Sequence, residues 1–325
     1  MLNTAARVSI VMPNYNHGEE LRISLPPIVG QTRPADEIII VDDGSTDDSR
    51  DVIASFQAEN PSIRLVRHAT RQGVVAAVNR GIAEASGDYV VLVSADERIM
   101  PTLCAEMLDA LALKHDAKLV VSHFTEWSAE TGETRHGVAG VEDLSLWFLG
   151  ETSKYVSPQE FGRLLGERPI RLSANSAMFD RAALLEVGCF DPALRWHSDW
   201  FAIYAVAARY GFCAVPRVLS LFRVSEKSYS VAEARSLRAR QEVALALAAK
   251  LDEPQFADVR RFLLKAPSAL SPFMRPLLLG LLGRPQRYPM LARLVGWWLS
   301  EVARGRRPGA LLRLKHRLRG AALRS

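Results

Sequence analysis

Three short polar clusters in this chain of 325 residues carry side chains that do chemistry. Asp96 and Glu97 follow Tyr89–Val93, an apolar, β-branched run that reads as a strand buried on both faces. In an open parallel sheet ligands bind just past the carboxyl ends of the strands, so two adjacent acids there are placed to hold a hard cation through oxygen. The same pair would equally cap or precede the helix whose spacing begins after Pro101. Asp42 and Asp43 end a second such run, Glu37–Val41. A carboxylate there can accept hydrogen bonds from a nucleobase N–H or from ribose hydroxyls, although solvated turn acids look the same in a sequence. Arg71 lies before a helix start, where a guanidinium and free backbone N–H groups can meet phosphate together. Taken alone it is also an ordinary surface arginine. Mg2+ typically takes one or two carboxylates plus phosphate oxygens, so Asp96 could hold an ion that bridges a diphosphate.

The elements that must position these groups alternate. Val8–Met12, Glu37–Val41, Ile63–Val66 and Tyr89–Val93 read as strands, separated by helical faces through Leu21, Leu25 and Ile28, through Val52, Ile53 and Phe56, and through Val74, Val78 and Ile82. Pro26 and Pro27 are expected to shorten or kink the first helix, and Ser45, Thr46 or Asp47 to cap the second. This alternation predicts an α/β fold with a mainly parallel sheet and flanking helices. Right-handed crossovers then bring Pro13, Asp42 and Ser94 to one edge, so that clusters far apart in sequence line one crevice. Further strands are expected at Leu119–Val121, Ser176–Phe179 and Val218–Phe222, and a hairpin over Phe124–Arg135 turning at residues 130–133. Helices are expected at Ala105–Leu113, Arg181–Val187 and Phe201–Tyr210, irregular chain with short helical pieces over 137–172, and almost wholly helical chain from Ala232.

Composition narrows the class. Hydrophobic content of 48% and charged content of 24% are those of a globular protein. Cys104, Cys189 and Cys213 are scattered among apolar residues, which reads as buried thiols in a reducing compartment, without metal spacing or a disulfide framework. The amino-terminal residues lack the pattern of a signal peptide, and no apolar run is long enough for a conventional membrane span. The net charge of +5 is uneven: residues 259–325 hold 15 Lys and Arg against the single acid Glu301, and the rest of the chain is net negative. An acidic body does not suit nucleic acid.

Taken in order, Pro13-Asn14-Tyr15-Asn16, VDDGSTD at 41–47 and RQGVVAAVNRGIAEASGDYVVLVSADE at 71–97 resemble family 2 glycosyltransferases with the A-type nucleotide-sugar fold. NSAMFDR at 175–181, GCFDP at 188–192, HSDWFAIYAVAARYG at 197–211 and FRVSEKSYS at 222–230 extend the resemblance, which covers residues 8–230. It implies an inverting transfer of a sugar from a nucleotide-diphospho-sugar, a UDP-sugar first of all, to a hydroxyl of a glycan or lipid-linked acceptor, with Mg2+ or Mn2+. By position, Pro13 and Tyr15 would border the nucleotide and Asp42 or Asp43 would contact base or ribose. Arg71 would sit near the donor, and Ser94-Ala95-Asp96 occupies the family's Asp-x-Asp position, with Asp96 the metal ligand. Asp199 would be the catalytic base, and Arg223 lies in a segment that closes over the donor phosphates. The sequence departs from the family at Ser94, where the first acid stands, at Ser198, where Glu precedes the base, and at Ser225, where many members have His. Asp199 also suits the role of helix N-cap, and His197 reads as a packed or surface histidine. A catalytically inactive nucleotide-sugar-binding or scaffold protein and a nucleotidyltransferase are the competing readings.

The expected division is a glycosyltransferase domain over 1–230 and a basic, mostly helical extension over 231–325. Acceptor contacts are expected mainly from 123–172. Tyr288, Leu291, Val295 and Trp298, with Trp297 beside them, fall at helical spacing, and Leu311, Leu314 and Leu318 form a stripe among basic residues. That pattern predicts a cytoplasmic protein whose tail lies on an anionic membrane surface at the inner face of the cell membrane.

Overall fold

The computed structural model of the protein describes residues 6–128, 134–135, 146–168, 170–224 and 236–266, with a few single positions beyond them. The chain divides into two compact units, Met1–Phe161 with Arg171–Ala232, and Gly162–Ile170 with Glu233–Ser325.

The first unit is built on one mixed sheet. Its strands β1 (Val8–Asn14), β2 (Glu37–Asp42), β3 (Ile63–Arg67) and β4 (Tyr89–Leu92) are parallel and lie in the order β3-β2-β1-β4. The Val and Ile side chains of β1, β2 and β4 suit a pleated surface covered on both faces, while the edge strand β3 buries only Ile63. Val8, Ile10, Met12, Ile38, Ile40 and Val91 share a core with Leu21, Leu25 and Ile28 of α1 (Gly18–Val29) and with Val52 and Ile53 of α2 (Ser49–Glu59). On the opposite face α3 (Val74–Glu84) lies so close that a Cβ on Gly81 would meet Val11 Cγ1 at 2.3 Å. Pro26 and Pro27 do not end α1 early. They occupy its last turns, and Arg22 and Ile23, the residues whose carbonyls lose a helical donor, are exposed.

The sheet continues β4-β9-β6-β10-β5. β9 (Ala177–Asp180) is antiparallel to both neighbours, β6 (Leu119–Ser128) and β10 (Phe212–Val224) are parallel, and β5 (Arg98–Ile99) returns antiparallel along β10. The sequence pattern had separated a strand at Leu119–Val121 from a hairpin beginning at Phe124. The structure merges them into one strand, because the polar pair Ser122-His123 that breaks the apolar pattern is itself buried. β7 (Thr134–Arg135) pairs back on Glu126 and Trp127, while the expected turn between the two lies outside the described residues. β10 is longer than the expected Val218–Phe222. Pro216 and Arg217 fall where its register on β6 shifts between Val215 and Val218, which is how a proline is accommodated in a sheet. Residues 146–168, expected to be irregular with short helical pieces, contain the helix α5 (Pro158–Glu167) and, beyond that expectation, a strand β8 (Lys154–Val156) paired with β10.

The remaining helices of the first unit are α4 (Leu103–Ala110), α6 (Arg181–Glu186) and α7 (Ser198–Tyr210). In the second unit α8 (Leu237–Asp252) and α9 (Ala257–Lys265) pack against one another, burying Val243, Leu247 and Leu251 on the first and Val259 and Leu263 on the second. Among the described residues no helix is long and apolar enough to cross a membrane. The apolar and basic stripes predicted between Tyr288 and Leu318 lie outside the described residues, apart from single positions.

Candidate active site

β1 lies between β2 and β4, with Asn14 opposite Asp42 and Val11 opposite Leu92. The carboxyl ends of the three strands therefore stand side by side where the strand order reverses direction, the usual place for a ligand crevice in an α/β sheet. Pro13, Asp42 and Ser94 share this edge, as the alternation of elements predicted.

The loops there are tied together by their own polar side chains. Asn14 Nδ2 donates to Asp42 Oδ1 at 3.1 Å and to Ser45 Oγ at 3.2 Å, and Ser45 Oγ accepts from the Asn16 backbone N–H at 2.9 Å. Asn16, in the left-handed region at φ 55°, accepts from the Thr46 N–H at 2.8 Å through Oδ1. Tyr15 is held between these anchors, partly exposed, with the Arg71 guanidinium 4.2 Å from its ring centroid.

Asp42 and Asp43 are both buried, which the reading of them as solvated turn acids did not anticipate. Asp42 faces Asn14, the Ser45 N–H and, at 3.6 Å, the Arg50 guanidinium. Asp43 uses both carboxylate oxygens on the loop that carries Arg71: Oδ1 accepts from the Gln72 N–H at 2.8 Å and lies 2.7 Å from His68 Nδ1, and Oδ2 accepts from the Gly73 N–H at 2.7 Å. Gly44, at φ +77°, passes the same loop so closely that a Cβ would stand 3.0 Å from the Arg71 backbone nitrogen. His68 had no sequence signal, since it follows β3 in an ordinary loop.

Past β4 the chain turns through Ser94, Ala95 and Asp96 into β5. Ala95 is buried, Asp96 is partly exposed, and Glu97 is buried with Oε2 accepting weakly from the Ser94 N–H at 3.4 Å. Burial first, then the neighbouring charges of Asp96 and Asp199, push the Glu97 carboxyl up to about 8, opposed by the amide of Asn175 and the Ser94 N–H. Nδ2 of Asn175 is buried without a well-formed hydrogen bond, so its help to Glu97 is that of a nearby dipole. Asn175 arrives in a turn just before antiparallel β9, whose amino end lies at the carboxyl end of β4.

Asp199 is the second residue of α7. His197 is the N-cap residue, so Asp199 is not the helix cap. Its Oδ1 accepts from the Trp200 N–H at 2.7 Å. Although partly exposed, it is walled in by protein. Burial pushes it up to about 6, against the pull of that N–H and of the Arg171 charge. Arg171 donates to Glu126 Oε1 at 3.0 Å and lies over the rings of Phe124 and Phe222. The His197 ring packs beside Trp196 and Trp200, and burial pulls its pKa down to about 4. Arg223, near the end of β10, donates to Glu20 Oε1 of α1 at 2.8 Å.

The electrostatics thus link Asp96, Glu97 and Asp199, while Tyr15, Arg71, Asp42 and Asp43 form a second cluster along the same edge. Sequence reasoning weighed Glu97 only as a partner of Asp96, and it missed Arg171, Asn175 and Glu20. Their only signal was position in motifs or segments whose contacts depend on the fold. Among the described residues no three His, Cys, Asp or Glu side chains are arranged to cage a metal by themselves. The oxygen donors and mutual repulsion around Asp96 nevertheless suit a hard cation that takes one carboxylate and completes its shell from phosphate and water.

A mixed sheet with its polar crevice at the reversal of strand order defines an α/β protein that works at that edge. The comparisons give the family: glycosyl transferase family 2 is matched over residues 9–184, and the chain belongs to it. It is 41% identical over 135 residues to the uncharacterized glycosyltransferase YibD of Escherichia coli K12, covering 41% of this chain and 38% of that protein. It is 30% identical over 143 residues to glycosyltransferase GlyG of Streptococcus pneumoniae, covering 43% and 47%. The matched part therefore spans less than half the length of these relatives. The fold resembles that of S. aureus TarS residues 1–349, solved in complex with UDP-GlcNAc, at TM-score 0.61 and 16% identity over 89% of this chain and 80% of that one. It also resembles the mannosyltransferase PcManGT of Pyrobaculum calidifontis, solved with GDP-Man and Mn2+, at TM-score 0.51 and 19% identity over 91% and 87%.

Proposed function

We propose that this glycosyltransferase moves a sugar from a nucleotide-diphospho-sugar, a UDP-sugar in the first instance, to an acceptor hydroxyl with inversion at the anomeric carbon. The observation that carries the reading is Asp199, a carboxylate raised to about 6 at the start of α7 and within electrostatic reach of the acids beyond β4. A base with a pKa just below neutral is ionised at pH 7 yet retains affinity for a proton. Asp199 takes the proton of the acceptor hydroxyl as its oxygen attacks the anomeric carbon from the face opposite the nucleotide. The C–O bond to the diphosphate breaks in the same displacement, which inverts the configuration. Asp96, on the turn with Ser94 and Ala95, would hold Mg2+ or Mn2+, and such an ion would supply Lewis-acid stabilisation of the leaving diphosphate. Tyr15 and Pro13 border the nucleotide, and Arg71 stacks on Tyr15 where the donor is expected. Asp43 fixes the loop of Arg71 and leaves the outward contacts to its neighbours. Arg223 covers the donor phosphates.

The bound UDP-GlcNAc of TarS and the GDP-Man and Mn2+ of PcManGT support a nucleotide-sugar donor and a divalent ion. The acceptor is a glycan or lipid-linked hydroxyl in the making of cell-surface glycan or glycolipid. The basic tail would hold the enzyme peripherally at the cytoplasmic face of the membrane.

Product analysis tests the reaction class. Incubation of the full chain with UDP-sugars, Mg2+ or Mn2+ and candidate acceptors should release UDP. Release of pyrophosphate instead would make the protein a nucleotidyltransferase, and donor binding without any turnover would make it a binding protein.

A further inference from the structure

We infer that Arg98, Trp127 and Arg223 form an oxyanion site that takes a phosphate group. β5, β10 and β6 are neighbours at one end of the sheet. Leu221 of β10 pairs with both Arg98 and Thr125, and Arg223 pairs with Trp127. Alternation along each strand puts Arg98, Trp127 and Arg223 on one face, opposite the face of Phe124, Glu126 and Phe222 on which Arg171 lies. The Arg98 guanidinium sits 4.1 Å from the Trp127 ring centroid, which fixes the plane of its fork.

Three N–H donors at this place have no acceptor among the described residues: Arg98 Nε, Trp127 Nε1 and Arg223 Nε, all of them buried atoms. Buried donors in native proteins are satisfied almost without exception, so three unsatisfied ones close together indicate an acceptor that arrives from outside. The charges agree. Arg223 is paired with Glu20 through Nη1 at 2.8 Å, and among the described residues no carboxylate forms an ion pair with the Arg98 guanidinium. One water could accept from two of the three donors and would leave the extra positive charge unbalanced. A phosphate group offers several acceptor oxygens and the missing negative charge.

The site rests on the proposed function only for the molecules that could bring the phosphate, namely the diphosphate of a donor or a phosphate carried by the acceptor. The test uses the full chain, its Trp127→Phe variant, which keeps the ring and loses the N–H, and its Arg98→Lys variant, which keeps the charge and loses the fork. Calorimetric titrations with Mg2+ throughout compare inorganic pyrophosphate, UDP, uridine, and glycerol 3-phosphate added to UDP-saturated protein. The expected result is that both variants lose about tenfold in pyrophosphate affinity, the usual weight of a hydrogen bond to a charged group. A parallel loss for UDP with uridine unchanged assigns the site to the donor. An equal loss for glycerol 3-phosphate with UDP unchanged assigns it to the acceptor. Affinities for all phosphate ligands within about twofold of wild type in either folded variant overturn the site. So does a wild-type chain whose unfolding midpoint responds to neither pyrophosphate nor glycerol 3-phosphate, a result that needs no variant. Wild-type protein that binds neither UDP nor uridine, while the variants still lose pyrophosphate, defeats the donor reading and leaves the site standing.

Discussion

At the scale of single residues, Asp199 and Glu97 share a cause and differ in consequence. Burial raises both, and a raised acid is useful only where something deprotonates it or uses its basicity. Asp199→Asn is expected to keep donor affinity and lose turnover by 10²–10⁴-fold, the usual contribution of a general base. In the wild type, kcat/KM should rise with pH up to about 6 and then level off, because the base must be ionised. A variant within about tenfold of wild-type turnover would remove Asp199 from that role. Glu97 titrates about 8 in the fold against 4.5 as its ordinary value. Its protonation therefore stabilises the fold fully below pH 4.5, and that contribution is lost as pH rises through about 8. Glu97→Gln should accordingly gain stability over wild type as pH rises from 5 to 9, on the order of 2–4 kcal/mol at the upper end. Denaturant midpoints at the two pH values measure it, and a pH-independent difference would mean that Glu97 is ionised throughout. Asp96→Ala should leave the protein folded and abolish the enhancement of UDP binding by Mn2+. Titration with and without Mn2+ decides this, and unchanged enhancement in the variant would take Asp96 out of the metal site.

At the scale of elements, the site depends on loops that hold each other. Asp43, at the end of β2, binds two backbone N–H groups of the Arg71 loop, and Gly44 lets the two backbones come together. Gly44→Ala places a side chain in the left-handed region and drives its Cβ against Arg71 N. It should cost about 1–2 kcal/mol in stability. More tellingly, it should weaken UDP binding beyond what the stability loss explains, since Arg71 and Tyr15 move with the loop. Thermal unfolding and UDP titration of the same sample separate the two effects. A variant that loses stability but binds UDP as tightly as wild type would show that the loop contact serves the fold alone. The close packing of α3 at Gly81 has a different character, because it meets core side chains away from the crevice edge.

At the scale of the whole molecule, charge divides the chain more sharply than any single contact. Residues 259–325 are net +14 while residues 1–258 are net −9. Each Lys or Arg near an anionic surface contributes roughly 1 kcal/mol, so a few suffice for reversible attachment. Trp297 and Trp298 are suited to the interface. The full chain is expected to co-sediment with anionic vesicles at low salt and to release them near 1 M salt, where the Debye length is about 3 Å. Failure to bind anionic vesicles at low salt would make the tail a cap or an oligomer contact. Equal binding to neutral vesicles would put the apolar stripe ahead of charge.

Periodicity and punctuation in the sequence were enough to determine the first four strands, the helices between them and the edge to which Pro13, Asp42 and Ser94 come. Those features follow from local pattern and from the general handedness of α/β chains. The family, too, was legible in the ordered motifs from Pro13 to Ser230. What the acids touch was not. Asp43 read either as a solvated turn acid or as a contact to base or ribose, and it is buried with both oxygens engaged, because the loop 29 and 30 residues further along folds back over it. The merging of Leu119–Val121 with the strand at Phe124 depended on burial of Ser122 and His123, which no local pattern reveals. Arg223 meets Glu20 across 203 residues of sequence, and Arg98 stacks on Trp127 only because β5 and β6 lie on either side of β10. Such pairings are set by strand order and register. A one-residue shift would turn each of these side chains to the other face, so only the tertiary structure could decide them.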